Sequence, residues 1–114
     1  MTGRVGPAAD IELLVIEQCP HEQAALELFR RVLDDAGCAD EIRIRVIQTD
    51  EEAARRGFPG SPTFLINGVD LFAEVGTPPG VACRVYPNRD GLHGLPSRND
   101  LMGAVARLLP RHQS

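Results

Sequence analysis

The sequence predicts an α/β fold with the element order β-α-β-α-β-β-α, in which a four-stranded mixed sheet is flanked by three helices. A nearly continuous apolar run at residues 11–16 is followed by helical periodicity, as expected for a buried strand and its crossover helix. Further along, Asn67-Gly68 separates two apolar runs and is a strong hairpin signal. Because crossovers are right-handed, the first two strands should be parallel, whereas the hairpin supplies an antiparallel pair.

Length, charge and composition indicate one folded domain. The 114 residues are 43% hydrophobic and 25% charged, and we divide them into a flexible leader at residues 1–9 and a single domain at residues 10–114. The net charge of -4 and the lack of a basic block argue against nucleic acid as a partner. No stretch has the character of a membrane span or a signal peptide, so we expect no membrane partner and a cytoplasmic location.

The first strand and the first helix frame a turn. Residues 11–16 have the pattern of a strand buried on both faces. A helix is predicted from Pro20 to Ala36, because Pro suits the first helical position and Gly37 suits the end. One face of this helix carries apolar residues at three- and four-residue steps: Ala25, Leu28, Phe29, Val32, Leu33 and Ala36.

The middle of the chain predicts a strand, a short helix and a hairpin. Residues 42–46 alternate isoleucine or valine with arginine, which indicates a strand with one polar face. Thr49 and Glu52 form a capping-box pattern for a helix that ends at Gly57. After a loop at residues 58–62, strands are predicted at residues 63–66 and 69–72.

Residues 76–97 carry repeated Gly and Pro and show no period, so we expect a long loop without regular structure. Loops of this length are usually functional or disordered. The last helix should begin after Ser97, a good N-cap, with Asp100 in its first turn. Its apolar face consists of Leu101, Val105, Leu108 and Leu109.

Two short motifs define the candidate site. Cys19-Pro20-His21-Glu22 lies at the turn from strand to helix, where free amide groups and the helix dipole favour a thiolate. Gly60-Ser61-Pro62-Thr63 introduces a later strand. A thiol at a strand-to-helix turn, combined with an X-Pro bond at the start of a later strand, is typical of thiol-redox proteins.

These motifs resemble the thioredoxin superfamily over residues 11–110. Cys19-Pro20-His21 resembles the start of the Cys-Pro-His-Cys site of DsbA-type oxidoreductases, and residues 61–68 resemble the cis-proline strand and hairpin of glutaredoxins and thioredoxins. More narrowly, the chain is similar to small bacterial thioredoxin-like proteins, some with selenocysteine at the first position, that are labelled alkylmercury lyase-like. The resemblance implies a thioredoxin-like fold and a cis-proline at Pro62 that faces the Cys19 sulfur. Glu22 departs from the pattern, since it stands where the second cysteine would be.

The resemblance also implies how a substrate binds. An extended thiol such as glutathione or a peptide would pair with the backbone edge at Pro62 by β-type hydrogen bonds. We assign the substrate contacts to Pro20, His21, Glu22, Ser61 and Thr63. The expected partner is a small thiol or a protein disulfide, with glutathione as a possible co-substrate, no other cofactor, no metal, and an open oligomeric state.

The other two cysteines differ in what they can do. Cys38 follows the first helix and should lie on the order of 25 Å from Cys19, which indicates a structural thiol. The loop with Cys83 should leave from the site's side of the sheet. Cys83 is therefore a candidate catalytic residue that resolves or pairs with Cys19, and the alternative is an apolar anchor for the loop.

Several polar residues near this loop have two interpretations. Arg84, Arg89 and Arg98 either hold an anionic substrate or form a solvated face. His93 is expected in a turn, and Tyr86 has no assigned role.

Three functions fit these residues. In the first, Cys19 attacks a disulfide or a peroxide-type substrate, and Cys83 or an external thiol resolves the product. In the second, Cys19 and Cys83 bind a soft metal or an organomercurial. The third is a non-catalytic thioredoxin-like binding module, which the missing second cysteine would suit.

Overall fold

The structure, a computed structural model, describes residues 9–72, 80–81, 84, 86–88 and 91–109. The predicted leader therefore lies outside the described residues, except for residue 9. Three helices and six strands are described: β1 (Ile11–Ile16), α1 (Glu22–Asp35), β2 (Ile42–Ile47), α2 (Asp50–Arg56), β3 (Thr63–Ile66), β4 (Val69–Asp70), β5 (Tyr86–Asn88), β6 (Gly91–His93) and α3 (Arg98–Leu108). None of these described helices is long and apolar enough to cross a membrane.

Four of the strands form a mixed sheet in the order β2-β1-β3-β4. The central strand β1 pairs in parallel with β2 and antiparallel with β3, so that Leu13 stands between Ile44 and Phe64. β3 and β4 form the predicted hairpin, and Asn67 and Gly68 both have the positive φ angles that this turn requires. The predicted α/β class, with a four-stranded mixed sheet and three helices, is confirmed.

The core lies on both faces of this sheet. Alternate residues of β1, such as Leu13 and Val15, pack with α1 and α3, where the rings of Phe29 and Phe64 meet edge to face at 5.1 Å. On the other face, Leu14 packs with residues of α2 and the following loop. β1 is thus buried on both faces, as its apolar run predicted.

Glu12 is a charged exception within β1. Its carboxylate is buried and accepts hydrogen bonds from Arg45 on β2 and Arg56 on α2. A buried carboxylate requires such partners, since an unpaired charge is costly to remove from water. These two cations explain how the central strand tolerates an acidic residue.

The helix ends follow local sequence signals. The Thr49 hydroxyl accepts from the Glu52 amide at 3.0 Å, and Gly57 ends α2 with a φ of 64°. At α3, the Ser97 hydroxyl accepts from the Asp100 amide at 3.0 Å. Both N-caps were predicted from side-chain type alone.

Two predicted boundaries are wrong. The helix expected from Pro20 begins instead at Glu22, because His21 has non-helical angles (φ -105°, ψ 5°) and serves as the N-cap. The loop expected at 76–97 contains a two-stranded sheet, β5 with β6, in which Tyr86 pairs with His93. His93 accordingly lies in a strand and not in a turn. Asn88 ends β5 and Gly91 begins β6, and these turn-forming residue types were the unused sequence signal of the hairpin.

The apolar face of β2 is also less buried than an alternating strand suggests. Ile44 is 39% exposed and Val46 is 41% exposed. β2 is an edge strand of the four-stranded sheet, so it has a neighbour on one side only. Position in the sheet, which the alternating pattern does not reveal, determines this exposure.

Candidate functional site

Cys19 lies in the turn between β1 and α1. The turn begins with Glu17 and Gln18, and Gln18 adopts a left-handed conformation with a φ of 57°. The carbonyl of Cys19 accepts from the Glu22 amide at 3.2 Å, which joins this turn to the helix. The Cys19 side chain belongs to the core cluster and is 8% exposed. The sulfur therefore presents only a small surface to solvent.

Ser61 is the residue that contacts this sulfur. Its Oγ lies 2.9 Å from Sγ of Cys19 and 3.1 Å from the amide nitrogen of Ile16. Because the Ile16 N–H donates to Oγ, the serine O–H is free to donate to the sulfur. Hydrogen bonds to a charged acceptor are stronger than those to a neutral one, so this donor suits a thiolate. Ser61 is a predicted substrate contact, and within the protein its hydroxyl links the end of β1 to Cys19.

The peptide bond between Ser61 and Pro62 is cis, as the resemblance implied. Thr63 follows, and its buried hydroxyl donates to the Gly60 carbonyl at 2.6 Å and accepts from Arg84 at 3.3 Å. The hydroxyl groups of Ser61 and Thr63 are thus both hydrogen-bonded inside the protein.

The backbone at Ser61 and Pro62 has neighbours that the sequence analysis missed. The amide of Arg84 donates to the Ser61 carbonyl at 2.8 Å, and the Tyr86 hydroxyl donates to the Pro62 carbonyl. A β-carbon added to Gly60, whose φ is 144°, would lie 2.9 Å from Cβ of Arg84. Only glycine permits this approach.

Arg84 corrects a prediction. It was expected to bind an anionic substrate or to face solvent, yet it is buried at 7% exposure. Its guanidinium pairs with the Asp70 carboxylate at 3.1 Å, donates to the Phe72 carbonyl, and lies 4.9 Å from the centroid of the Tyr86 ring. Burial raises the pKa of Tyr86, so this hydroxyl keeps its proton and its role as a donor above the pH of about 10 at which an ordinary phenol ionises. Arg84 therefore anchors the segment that carries Tyr86.

The predicted contacts that follow Cys19 lie at the start of α1. Pro20 is exposed, whereas His21 and Glu22 are half-buried. The ring of His21 occupies the space that a side chain on Gly94 would need, so it packs directly on the backbone after β6. Glu22 is in the first turn of α1, where the helix dipole favours a carboxylate.

Two of the remaining sequence candidates, Cys38 and Arg98, lie away from this site. Cys38 is buried after the C-terminal end of α1, where burial raises the pKa of its thiol, which lies 3.6 Å from the Asp40 carboxylate. Arg98 is half-exposed and pairs with Asp35. Cys83 and Arg89 lie outside the described residues. Among the predicted site residues that the structure describes, Ser61 contacts Cys19 through its side chain and is joined to Pro62 by the cis peptide bond.

A groove of about 640 Å³ lies between α1 and β2 and is lined by Leu26, Ile42 and charged residues of α1, but by none of the predicted site residues. Within the described ranges, His, Cys, Asp and Glu side chains form no group of three or more that could hold a metal ion.

No protein-family model, curated protein or solved structure gives a significant match to this chain.

Proposed function

We propose that this is a thiol-redox protein with a thioredoxin-like fold, in which Cys19 is the attacking nucleophile. The observation that carries the proposal is the 2.9 Å contact between the Ser61 hydroxyl and the Cys19 sulfur. In this contact the Ser61 hydroxyl can donate to the thiol of Cys19, which lies in the turn after the central strand β1. Ser61 also precedes the cis bond to Pro62. A nucleophilic cysteine needs a setting that stabilises its thiolate.

The arrangement of the sheet supports the thioredoxin-like part of the proposal. The thiol follows β1, the parallel partner β2 is reached through α1, and the cis-proline immediately precedes the antiparallel strand β3. These are the relative positions that the resemblance requires for the thiol and the proline. A reducing cytoplasmic location would keep Cys19 as a thiol between reactions.

The chemistry is a two-electron exchange. The Cys19 thiolate attacks one sulfur of a disulfide, forming a new S–S bond while the substrate S–S bond breaks and the second sulfur leaves with the electron pair. A second thiolate then attacks the mixed disulfide and releases Cys19. With a peroxide, Cys19 attacks an oxygen, becomes a sulfenate, and releases the alcohol or water.

Glu22 cannot perform the second attack, and Cys38 lies after the opposite end of α1. The resolving thiol is therefore either an external one such as glutathione or Cys83. A soft-metal site would likewise have to use Cys83.

The low exposure of Cys19 favours a second candidate, a non-catalytic thioredoxin-like module that binds a partner. In that case the thiol would be a core residue, and Ser61 would serve only to join β1 to the loop before β3.

Alkylation by iodoacetamide across a range of pH, with peptide mapping by mass spectrometry, separates the two candidates. We expect Cys19 to be alkylated at least about tenfold faster than Cys38 at pH 7. Reduction of a small disulfide should be lost in Cys19→Ser and kept in the control Cys38→Ser. Equal alkylation rates, or turnover that survives in Cys19→Ser, would contradict the redox function and leave the binding module.

A further inference from the structure

The backbone edge beside the cis-proline already has partners within the chain. The carbonyl groups of Ser61 and Pro62 accept from the Arg84 amide and from the Tyr86 hydroxyl. Both carbonyl groups belong to the segment whose Ser61 hydroxyl contacts the Cys19 sulfur, and backbone acceptors of this kind are what an extended peptide needs for β-type pairing.

Buried contacts hold Arg84 and Tyr86 against these two carbonyl groups. Arg84 is fixed by its ion pair with Asp70, by its contact with the Tyr86 ring, and by its close approach to the Gly60 backbone. Displacing Arg84 would leave both charges of the pair without a partner in a mostly buried position, which is strongly unfavourable. The Tyr86 ring is packed on Phe64 and Phe72, with centroids 6.1 Å and 5.2 Å away, and does not leave readily either.

The backbone after β6 also contacts the turn that carries Cys19. Gly94 lies directly against the ring of His21, two residues after Cys19. Residues that flank the β5–β6 hairpin on both sides therefore contact the site, Arg84 near Ser61 and Gly94 at His21. Cys19, which lies between them, is 8% exposed as a residue.

We propose that Cys19 reacts with compact disulfides of low molecular mass and discriminates against extended peptide disulfides, because Arg84 and Tyr86 occupy the backbone acceptors that a peptide needs. This inference rests on the proposed redox function and specifies its substrate class. It differs from the expectation drawn from the resemblance, in which an extended substrate pairs with this edge.

Two probes with a common leaving group test it on the full chain. One is bis(2-hydroxyethyl) disulfide, and the other is the mixed disulfide of 2-mercaptoethanol with the blocked peptide Ala-Ala-Cys-Ala-Ala. Mass spectrometry follows the Cys19 adduct that forms as 2-mercaptoethanol leaves, which is the 2-mercaptoethanol adduct for the first probe and the peptide adduct for the second. The rate is divided by that of the same reaction with free cysteine. We expect this corrected rate to be at least about tenfold higher for the compact probe, since the peptide gains no edge pairing.

Tyr86→Phe and Asp70→Asn examine the origin of the selectivity. The first frees the Pro62 carbonyl while keeping the ring, and the second weakens the anchor of Arg84. We expect either change to narrow the ratio of the two rates. Ser97→Ala, which removes a hydroxyl from the N-cap of α3, is the matched control and should leave the ratio unchanged.

The outcomes separate the two proposals. A peptide probe that reacts as fast as the compact one in the unmodified protein overturns the substrate class and leaves the redox function intact. A ratio that stays unchanged in both variants overturns the role given to Arg84 and Tyr86. Absence of any Cys19 adduct with either probe contradicts the redox function itself.

Discussion

The hydroxyl oxygen of Ser61 lies 2.9 Å from the sulfur of Cys19, although the two residues are 42 positions apart in the chain. The same oxygen accepts from the Ile16 amide at the end of β1. One buried hydroxyl group thus connects the central strand, the turn that carries Cys19 and the loop that contains the cis-proline.

Ser61→Ala should affect both reactivity and stability. The substitution removes the donor to Cys19 and leaves the Ile16 amide without its acceptor, so the free energy of unfolding should fall by about 1–3 kcal/mol. Alkylation of Cys19 at pH 7 should also become slower, because a thiolate would lose its donor. Denaturant unfolding and iodoacetamide kinetics provide the two measurements.

Ser97→Ala is the control for this prediction, since it also deletes one hydrogen-bonding hydroxyl and should cost about 1 kcal/mol. Its Cys19 alkylation rate should equal that of the unmodified protein. If Cys19 of the Ser61→Ala variant is also alkylated at that rate, the serine has no influence on the reactivity of the sulfur.

Two of the Arg–Asp pairs among the described residues, one buried and one exposed, should differ in their contribution to stability. Arg84 and Asp70 have side chains 7% and 18% exposed, so Asp70→Ala leaves a buried cation unpaired and should cost about 3 kcal/mol. Arg98 and Asp35 are 53% and 41% exposed, and Arg98→Gln should cost less than about 1 kcal/mol. Urea unfolding of both variants compares them. Equal losses would mean that Arg84 is not held as the structure describes.

Stability should decline at alkaline pH partly because of Tyr86. In the unfolded chain this phenol loses its proton near a pH of about 10, whereas burial raises its pKa in the folded protein. The folded state then binds the extra proton, so the free energy of unfolding falls as pH rises above about 10, by at most about 1.4 kcal/mol per pH unit. It stops falling once the pH passes the folded-state pKa.

Tyr86→Phe should flatten this part of the pH profile. Cys38, whose pKa is also raised by burial, contributes a decline of the same sign that remains in the variant. Because Tyr86 is the only Tyr and the chain has no Trp, tyrosinate absorbance reports its titration directly. A phenol that titrates at its ordinary pH in the folded protein would exclude this contribution.

Gly94→Ala should disturb the start of α1. A β-carbon at this position overlaps the ring of His21, and such overpacking costs about 1–3 kcal/mol. The double variant Gly94→Ala with His21→Ala should recover part of the loss, since the ring is then absent. Gly80→Ala is the matched control, because nothing lies within 4 Å of its added carbon. Thermal unfolding measures all four proteins, and a loss that the double variant does not relieve would argue against the contact.

Local sequence determined most of the regular elements. β1 and β3 occur at the predicted residues, and the N-caps Thr49 and Ser97 are those that their side chains indicated. Periodicity, capping and the turn at Asn67 depend on residues close in the chain, and so they can be read without the fold.

The start of α1 shows where local reasoning reaches its limit. Pro20 suits a first helical position, but the turn that buries Cys19 delays the helix until Glu22. Cys19 and the Ser61-Pro62 motif could likewise be recognised in the sequence as site candidates. The hydrogen bond from the Ser61 hydroxyl to the Cys19 sulfur could not be predicted from the sequence.

Tertiary structure alone decided what surrounds the site. The sequence determined an α/β chain with Cys19 and Pro62 at the ends of neighbouring elements, but it did not show that Arg84 would be buried against Asp70 or that Tyr86 would bind the Pro62 carbonyl. Both residues belong to a segment without periodicity, and their partners lie 14 and 24 positions away. Isolated β-type hydrogen bonds and buried ion pairs form only between segments that meet in space. Which segments meet depends on the packing of the whole chain and not on neighbouring residues.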